Sequence, residues 1–365
     1  MSQKLFYSTP PPPPPTNGNP EKNQATAAVE MEKIQLPAPS FTFRASASAA
    51  DGRWGLHCLP LADRKVVCTD QSGSAMLLDV ETPHVAIMPN LHRPKSDPIS
   101  LFVPSADPVD RRWGGGILYV MEKIAVAESN STCEQSDQFE AFIYRTRNFI
   151  SRSKSWYGEL LPPPPYVRQT CSWSYCPEIT SYAVLGGGSH ICISVEDTGT
   201  YCLDTASHTW SQVGKWTLPF YGKVEYVPEL KLWFGISDKG RALSAADLSN
   251  MDSRPPLVGS WEETFLPEER EEWQECYLVY LGSGKFCIAR FFQLYPDGTI
   301  YFDGEVWAGD SGPEDEVATG GQVTVLTGVE VVPSGNGDGN GKVGLRMIQH
   351  KSGVLDTKDI IHAVF

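Results

Sequence analysis

Three groups of residues have the types and spacing to do chemistry. His190 and Cys192 lie two apart in a run of β-branched and apolar residues, so they share one face of a strand, and Cys202 follows on the next such run. Together they could offer a zinc ion one nitrogen and two sulfur ligands. Half-buried structural residues account for the same three with no metal, since unliganded cysteine behaves as a small apolar side chain. Cys171 and Cys176 are spaced with four residues between them, and no second pair completes a zinc set. The loop Asn336-Gly-Asp-Gly-Asn-Gly341 opens like a calcium-binding loop, but its twelfth position is Met347, where a bidentate Glu is required. Gly341-Lys342 lacks the following Ser or Thr of a phosphate-binding loop, and no Gly-x-Ser-x-Gly elbow is present for a serine hydrolase. The carboxylates between 259 and 330 are numerous enough that counting leaves a glycosidase-like pair open, but they read in the first place as a solvated acidic rim. No catalytic, cofactor-binding or metal-binding residue is assigned, no cofactor is expected, and the expectation is a protein that is not an enzyme.

Charge narrows the partners. The 365 residues carry 30 Lys and Arg against 44 Asp and Glu, a formal charge of −14. The excess is local: residues 259 to 330 hold 15 acids against Arg270, Lys285 and Arg290. Such a field repels phosphate backbones and anionic lipid, so neither nucleic acid nor a membrane surface is an expected partner. Arg145, Arg147, Arg152 and Lys154 form the one basic cluster, read as a solvated strand and loop. Nine cysteines, an odd count without an apolar signal core at the start, point to reduced thiols in the cytoplasm or nucleus.

The elements that must position these residues are strands. No run reaches the ~18 to 20 apolar residues of a membrane helix. Ten Trp, 14 Tyr and 15 Phe favour strands, and 32 Gly with 29 Pro supply turns. From Phe41 onward, short β-branched and aromatic runs alternate with Gly, Pro, Asp or Ser turns: Lys65–Thr69, Ser74–Asp79, Gly116–Val120, Ser181–Leu185, His190–Val195 and Thr200–Asp204. Lys231–Ile236, Tyr277–Leu281, Lys285–Phe292, Gln322–Leu326 and Asp359–Phe365 continue the series. One helix is expected, from Pro267 to about Cys276, because Pro opens it and Glu268, Glu269, Glu271 and Glu272 crowd its first turns. Residues 1–38, with six consecutive prolines (Pro10, Pro11, Pro12, Pro13, Pro14 and Pro15), read as a disordered arm whose polyproline segment could dock on an aromatic groove.

A weak repeat organises residues 39–365 into a single domain. Trp156-Tyr-Gly-Glu-Leu-Leu-Pro162 and Trp261-Glu-Glu-Thr-Phe-Leu-Pro267 share a pattern whose ending returns at Trp216-Thr-Leu-Pro219 and, more loosely, at Ala86-Ile-Met-Pro89 and Glu330-Val-Val-Pro333. The intervals approximate the ~50 residues of a kelch blade plus insertions. Gly114-Gly-Gly116 and Gly186-Gly-Gly188 precede strands, where they suit tight turns or close approach between blades. The fold expected is all-β: a kelch-like β-propeller of about six blades, closed by N- and C-terminal strands, with a strand near Phe41–Arg44 completing the last blade and Trp side chains packed between blades. Leu161-Pro-Pro-Pro-Pro-Tyr166 reads as a rigid connector, although its end also has the Pro-Pro-x-Tyr form that WW domains accept.

Several stretches carry a resemblance: Glu178–Val184, Gly199–Thr205, Trp216–Phe220, Glu225–Gly235 and Leu278–Phe292, with Leu161–Tyr166. They resemble a grass-expanded plant family known as domain of unknown function 1668, whose members look like kelch-type propellers. The resemblance is strongest from about 110 to 292. It implies a plant protein with an F-box-kelch-like body and supplies no catalytic residue. Tyr201 and Trp210 are nine apart, whereas kelch repeats place the two about six apart, so the match is irregular. The Pro-rich start also lacks the helical Leu-Pro segment of an F-box.

The function expected is therefore a monomeric, non-enzymatic interaction propeller that binds an unknown protein partner through the loops of one face, with Glu268, Glu269, Glu271 and Glu272 as its electrostatic determinant. The alternative is a propeller enzyme or carbohydrate binder using carboxylates or exposed Trp near the channel mouth.

Overall fold

A computed structural model describes residues 5–6, 32–43, 55–62, 64–82, 84–128, 135–146, 153–169, 171–172, 175–237, 242–263, 271–293, 301–302, 305–306, 322–338, 342–355, 361 and 364. Its strands form five antiparallel meanders, each of four strands that follow one another across the sheet as they do along the chain. A short strand β1 (Glu32–Ile34) precedes them. The first meander is β2 (Leu56–Pro60), β3 (Lys65–Asp70), β4 (Ala75–Asp79) and β5 (His84–Ile87). The second is β6 (Pro98–Pro104), β7 (Gly116–Glu122), β8 (Ser136–Thr146) and β9 (Lys154–Leu161). The third is β10 (Ile179–Leu185), β11 (His190–Val195), β12 (Gly199–Asp204) and β13 (Thr209–Gly214). The fourth is β14 (Tyr221–Val227), β15 (Leu232–Ile236), β16 (Leu243–Ala246) and β17 (Leu257–Trp261). In the fifth, β18 (Glu271–Gly282) and β19 (Lys285–Gln293) are separated by the small hairpin of β20 (Tyr301–Phe302) and β21 (Glu305–Val306) from β22 (Gln322–Asp338) and β23 (Lys342–Leu355). Two one-turn helices, α1 (Pro108–Arg112) and α2 (Pro165–Gln169), lie in connections.

Burial follows strand rank within a meander. β11 is buried at every position after His190, and β12 up to Asp204, whereas the fourth strand β13 has no buried residue. A middle strand has a neighbouring strand on each side and a packed layer above and below, so its sequence reads as an unbroken apolar run. The fourth strand sits at the periphery and keeps polar residues in water.

Apolar clusters join successive meanders face to face. Leu59, Val67 and Met88 meet Leu118, Val120 and Phe142 between the first and second. Ile99, Leu101, Tyr119 and Phe139 meet Ile179, Ile191, Ile193 and Tyr201 between the second and third. Ala183 and Cys192 meet Phe220, Trp233 and Ala246 in the next interface, and Phe234 and Leu243 meet Leu278, Phe286 and Ile288 in the one after. The first strands β10 and β14 even pair directly, in parallel, through Ser181 to Ala183 and Gly222 to Val224.

Two faces are left, one on the fifth meander and one on the first, and the N-terminal segment covers both. Alternate residues Cys287, Ala289 and Phe291 of β19 point away from the fourth meander and pack on Ile34 and Leu5. Val66 and Cys68 of β3 point away from the second meander and pack with Phe41 and Phe43. β1 itself adds to the edge of the fifth sheet, parallel to β23, with Ile34 opposite Leu355.

Several expectations are corrected here. The strand from the N-terminal region that joins the last sheet is Glu32–Ile34, inside the segment expected to be a disordered arm, and not Phe41–Arg44; parallel pairing with β23 buries Ile34, which the polar residues around it give no local reason to expect. Pro10 to Pro15 lie outside the described residues. Glu271 to Cys276, expected as helix, are the first half of β18, paired with β19 from Glu271 opposite Gln293 onward. A long partner strand overrides the helical preference of a Glu-rich segment. Pro89, Pro162 and Pro219 each follow the fourth strand of a meander and Pro267 lies outside the described residues, but Pro333 lies within β22, paired with Leu345, so it marks no boundary. Of the expected strands, Asp359–Phe365 falls largely outside the described residues.

Candidate functional site

The first strand of every meander borders one central cavity of about 710 Å³. Each first strand has its own meander on one side only, so the five inner edges enclose space that their own side chains must fill or wet. The polar groups reaching it include His57 from β2, Asp97 before β6, Lys123 after β7, and Tyr221, Lys223 and Glu225 from β14.

The best-defined arrangement is a triangle. The Lys123 ammonium lies 2.8 Å from Glu178 Oε1 and donates to the Tyr221 hydroxyl at 3.4 Å, while that hydroxyl donates to the same Glu178 oxygen at 2.9 Å. Lys123 also stands 5.4 Å from the centre of the Tyr221 ring, within cation–π range. Backbone pairing holds the corners: Ile124 bridges Glu178, and Ile179 N–H donates to Lys123 O at 3.0 Å. The triangle ties the second, third and fourth meanders at the cavity wall. Beside it, Lys223 and Glu225 pair at 2.7 Å along β14. His57 is held below its ordinary pKa by burial, which outweighs the attraction of Asp97 and Glu122. The arrangement can bind and orient a polar molecule through a fixed cation, phenol hydroxyls and carboxylates.

The cysteines depart from the expected reduced thiols. Cys192 is bonded to Cys202 across β11 and β12, and Cys171 to Cys176. Both sulfurs of the imagined His190–Cys192–Cys202 metal set are thus engaged with each other, and His190 lies 3.9 Å from Asp204 instead. Among the described residues no group of three or more His, Cys, Asp or Glu could hold a metal ion. The basic cluster is partly neutralised: Arg145 pairs with Glu159, and Lys154 lies 2.6 Å from Asp110; Arg147 and Arg152 fall outside the described residues. Tyr166 of the Pro-Pro-x-Tyr segment is wholly buried in α2, its ring 5.7 Å from that of Tyr201, which leaves no free tyrosine for a WW domain. Of the acidic residues expected to meet a partner, Glu271 and Glu272 are placed on β18, and Glu268 and Glu269 lie outside the described residues.

Trp side chains largely fill the interfaces. Trp210 Nε1 donates to Pro162 O at 2.9 Å and Trp233 Nε1 to Val184 O at 3.1 Å, each from one meander to the preceding one or its connection. Among the described Trp side chains Trp113 is the exception. It follows α1 in the β6–β7 connection and is 67% exposed, beside Val109 at 65%. Asp107 caps α1 by accepting from Val109 N–H, and Lys154 braces it through Asp110. Sequence reasoning grouped Trp113 with the buried Trp residues and missed the Lys123–Glu178–Tyr221 triangle, because nothing local distinguishes either.

A family model described as "Protein of unknown function (DUF1668)" matches residues 2–355. No curated protein matches the chain. Among solved structures, the beta-propeller domain of Myceliophteria thermophila Cps50 (Swd1) aligns at 11% identity over 76% of this chain and 96% of that one, with a TM-score of 0.33. A structural genomics protein of unknown function from Bacteroides thetaiotaomicron aligns at 9% identity over 65% of this chain and 52% of that one, with a TM-score of 0.38.

Proposed function

The chain belongs to the DUF1668 family, and from that premise we propose that it is a non-enzymatic interaction protein, built as a five-bladed propeller of irregular kelch type, that binds a protein partner through the connections at one end. The propeller reading is supported by five meanders that pack in chain order with their first strands around one cavity. The observation that carries the interaction reading is the exposure of Trp113 and Val109 on a braced connection. Trp is the residue most enriched where binding energy concentrates, and a rigid support reduces the entropy lost on docking. The neighbouring Arg112 is also exposed, so the partner segment is apolar with an acidic flank. Glu268, Glu269, Glu271 and Glu272 form a separate acidic determinant for the same partner or for a second one.

Proximity labelling in the native cell, with wild type against Trp113→Ala and against a variant with all four Glu changed to Gln, tests the reading. Partners that Trp113→Ala loses at least tenfold, with its unfolding midpoint unchanged, support it. A labelled set identical in all three proteins overturns it.

The cavity favours a second reading, a small polar ligand held near Lys123, Tyr221 and Glu225. Its volume lies within the ~300 to 1,000 Å³ of ordinary ligand pockets. A glycan array and a screen of chromogenic glycosides separate this reading from the first.

A further inference from the structure

We propose that Cys58 and Cys68 form a redox-closed pair: a two-electron hydroperoxide oxidant entering the central cavity converts them to a cross-strand disulfide on the first meander.

The two residues are Cα partners across β2 and β3, and their sulfurs stand 3.7 Å apart as thiols. The ladder phase puts them in the right kind of position. At the hairpin end Leu61 N–H donates to Lys65 O, so Leu61 and Lys65 are a hydrogen-bonded pair. Counting back along the register, Leu59 with Val67 is hydrogen-bonded and Cys58 with Cys68 is not. In antiparallel sheets the non-hydrogen-bonded pairs bring Cα atoms to about 4.5 Å and their side chains closest together. The same phase recurs at Cys192 and Cys202: Thr205 N–H donates to Ser189 O, which makes Cys192 with Cys202 a non-hydrogen-bonded pair, and those two are already joined with their Cα atoms 4.1 Å apart. Both pairs are ten residues apart in sequence.

The environment sets the order of events. Cys58 is half-buried and lines the cavity, whereas Cys68 is 1% exposed beneath Phe41 and Phe43. Only Cys58 can meet an oxidant. The hydrogen bond between the two sulfurs favours the thiolate at Cys58, and the same bond with burial pushes the Cys68 thiol up. The Cys58 thiolate attacks one oxygen of hydrogen peroxide; the O–O bond breaks, and with the thiol proton the second oxygen leaves as water. The Cys58 sulfenic acid is then attacked by the Cys68 sulfur. The S–S bond forms, the S–O bond breaks, and the hydroxyl takes the Cys68 proton to leave as a second water. Two thiols and one peroxide thus become one disulfide and two waters. The cross-link lies on the face of the first meander that the N-terminal segment covers, so the redox state of the pair is set where that segment docks.

The test uses the full chain, reduced, freed of reductant, treated with hydrogen peroxide, alkylated and peptide-mapped. Expected are a linked peptide pair carrying Cys58 and Cys68, the loss of those two thiols, and their return on adding dithiothreitol. In Cys68→Ser the sulfenic acid has no resolving thiol, and its trapping by dimedone at Cys58 rises at least tenfold over wild type. In Cys58→Ser, Cys68 stays unmodified. Recovery of both thiols alkylated in the peroxide-treated wild type, or linkage of Cys58 to any other cysteine, overturns the proposal whether or not the variants fold.

Discussion

Lys95 and Glu140, 45 residues apart in the chain, form an ion pair with both side chains shut off from water: Lys95 is 0% exposed and Glu140 2%. The ammonium also donates to Arg93 O at 2.7 Å and Asp137 O at 2.9 Å, and the carboxylate accepts from His92 Nδ1 at 2.6 Å and from the His92 backbone N–H at 2.8 Å. The connection from the first meander to the second is thereby pinned onto β8. Replacing Lys95 by Met leaves a buried carboxylate short of its counter-charge and costs about 3 to 5 kcal/mol. Chemical denaturation reads this directly, and Lys95→Met with Glu140→Leu together lose less than the sum of the two single changes.

His57 makes stability depend on pH. Burial lowers its folded pKa below 6.5, so as pH falls the unfolded chain takes up the proton first. Its contribution is fully present above about pH 6.5 and is lost as pH falls through that value towards the folded pKa. Denaturation midpoints measured from pH 7.5 down to 5 fall for wild type and fall less for His57→Gln.

Gly188 lets the third meander touch the second. Its φ is +106°, and a Cβ there would stand 2.5 Å from Val103 Cγ1. Gly188→Ala therefore meets both backbone strain and a clash, and destabilises by about 1 to 3 kcal/mol. Combining it with Val103→Ala recovers the part due to the clash and leaves the strain, which a double-mutant cycle in denaturant separates.

Ile34 anchors the closing segment on the fifth meander, 4% exposed among Cys287, Ala289 and Leu326. Ile34→Ala removes that anchor and costs about 2 to 4 kcal/mol. Hydrogen exchange then shows faster opening at β23 and, through Phe41 and Phe43, at β3, while β12 keeps its protection.

Much of the framework is legible in local patterns. The strands at Lys65, Gly116, His190, Thr200 and Lys285 announce themselves because a middle strand is apolar on both faces. The endings at Pro89, Pro162 and Pro219 are legible because a chain leaving a peripheral strand needs a stiff turn. The glycine runs also behave as their composition implies: a Cβ on Gly114 would meet Lys65 Cδ at 2.5 Å, and Gly188 meets Val103, each across two meanders. The candidate site is far less legible. Lys123, Glu178 and Tyr221 come from three meanders, and no spacing rule links them.

The sequence by itself determined an all-β chain with its strands, most of its unit boundaries and a localised acidic charge, since each of these follows from composition or from a period of a few residues. Tertiary structure alone decided the rest. Pro333 lies inside β22 because a 17-residue strand pairs through it, so its sequence pattern marks no unit boundary. Ile34 closes the structure because two faces were left bare, and Cys58 meets Cys68 because the β2–β3 register is in one phase and not the other. Register and closure depend on which distant residues exclude water together, and a one-residue slip that no local pattern forbids would reverse every face.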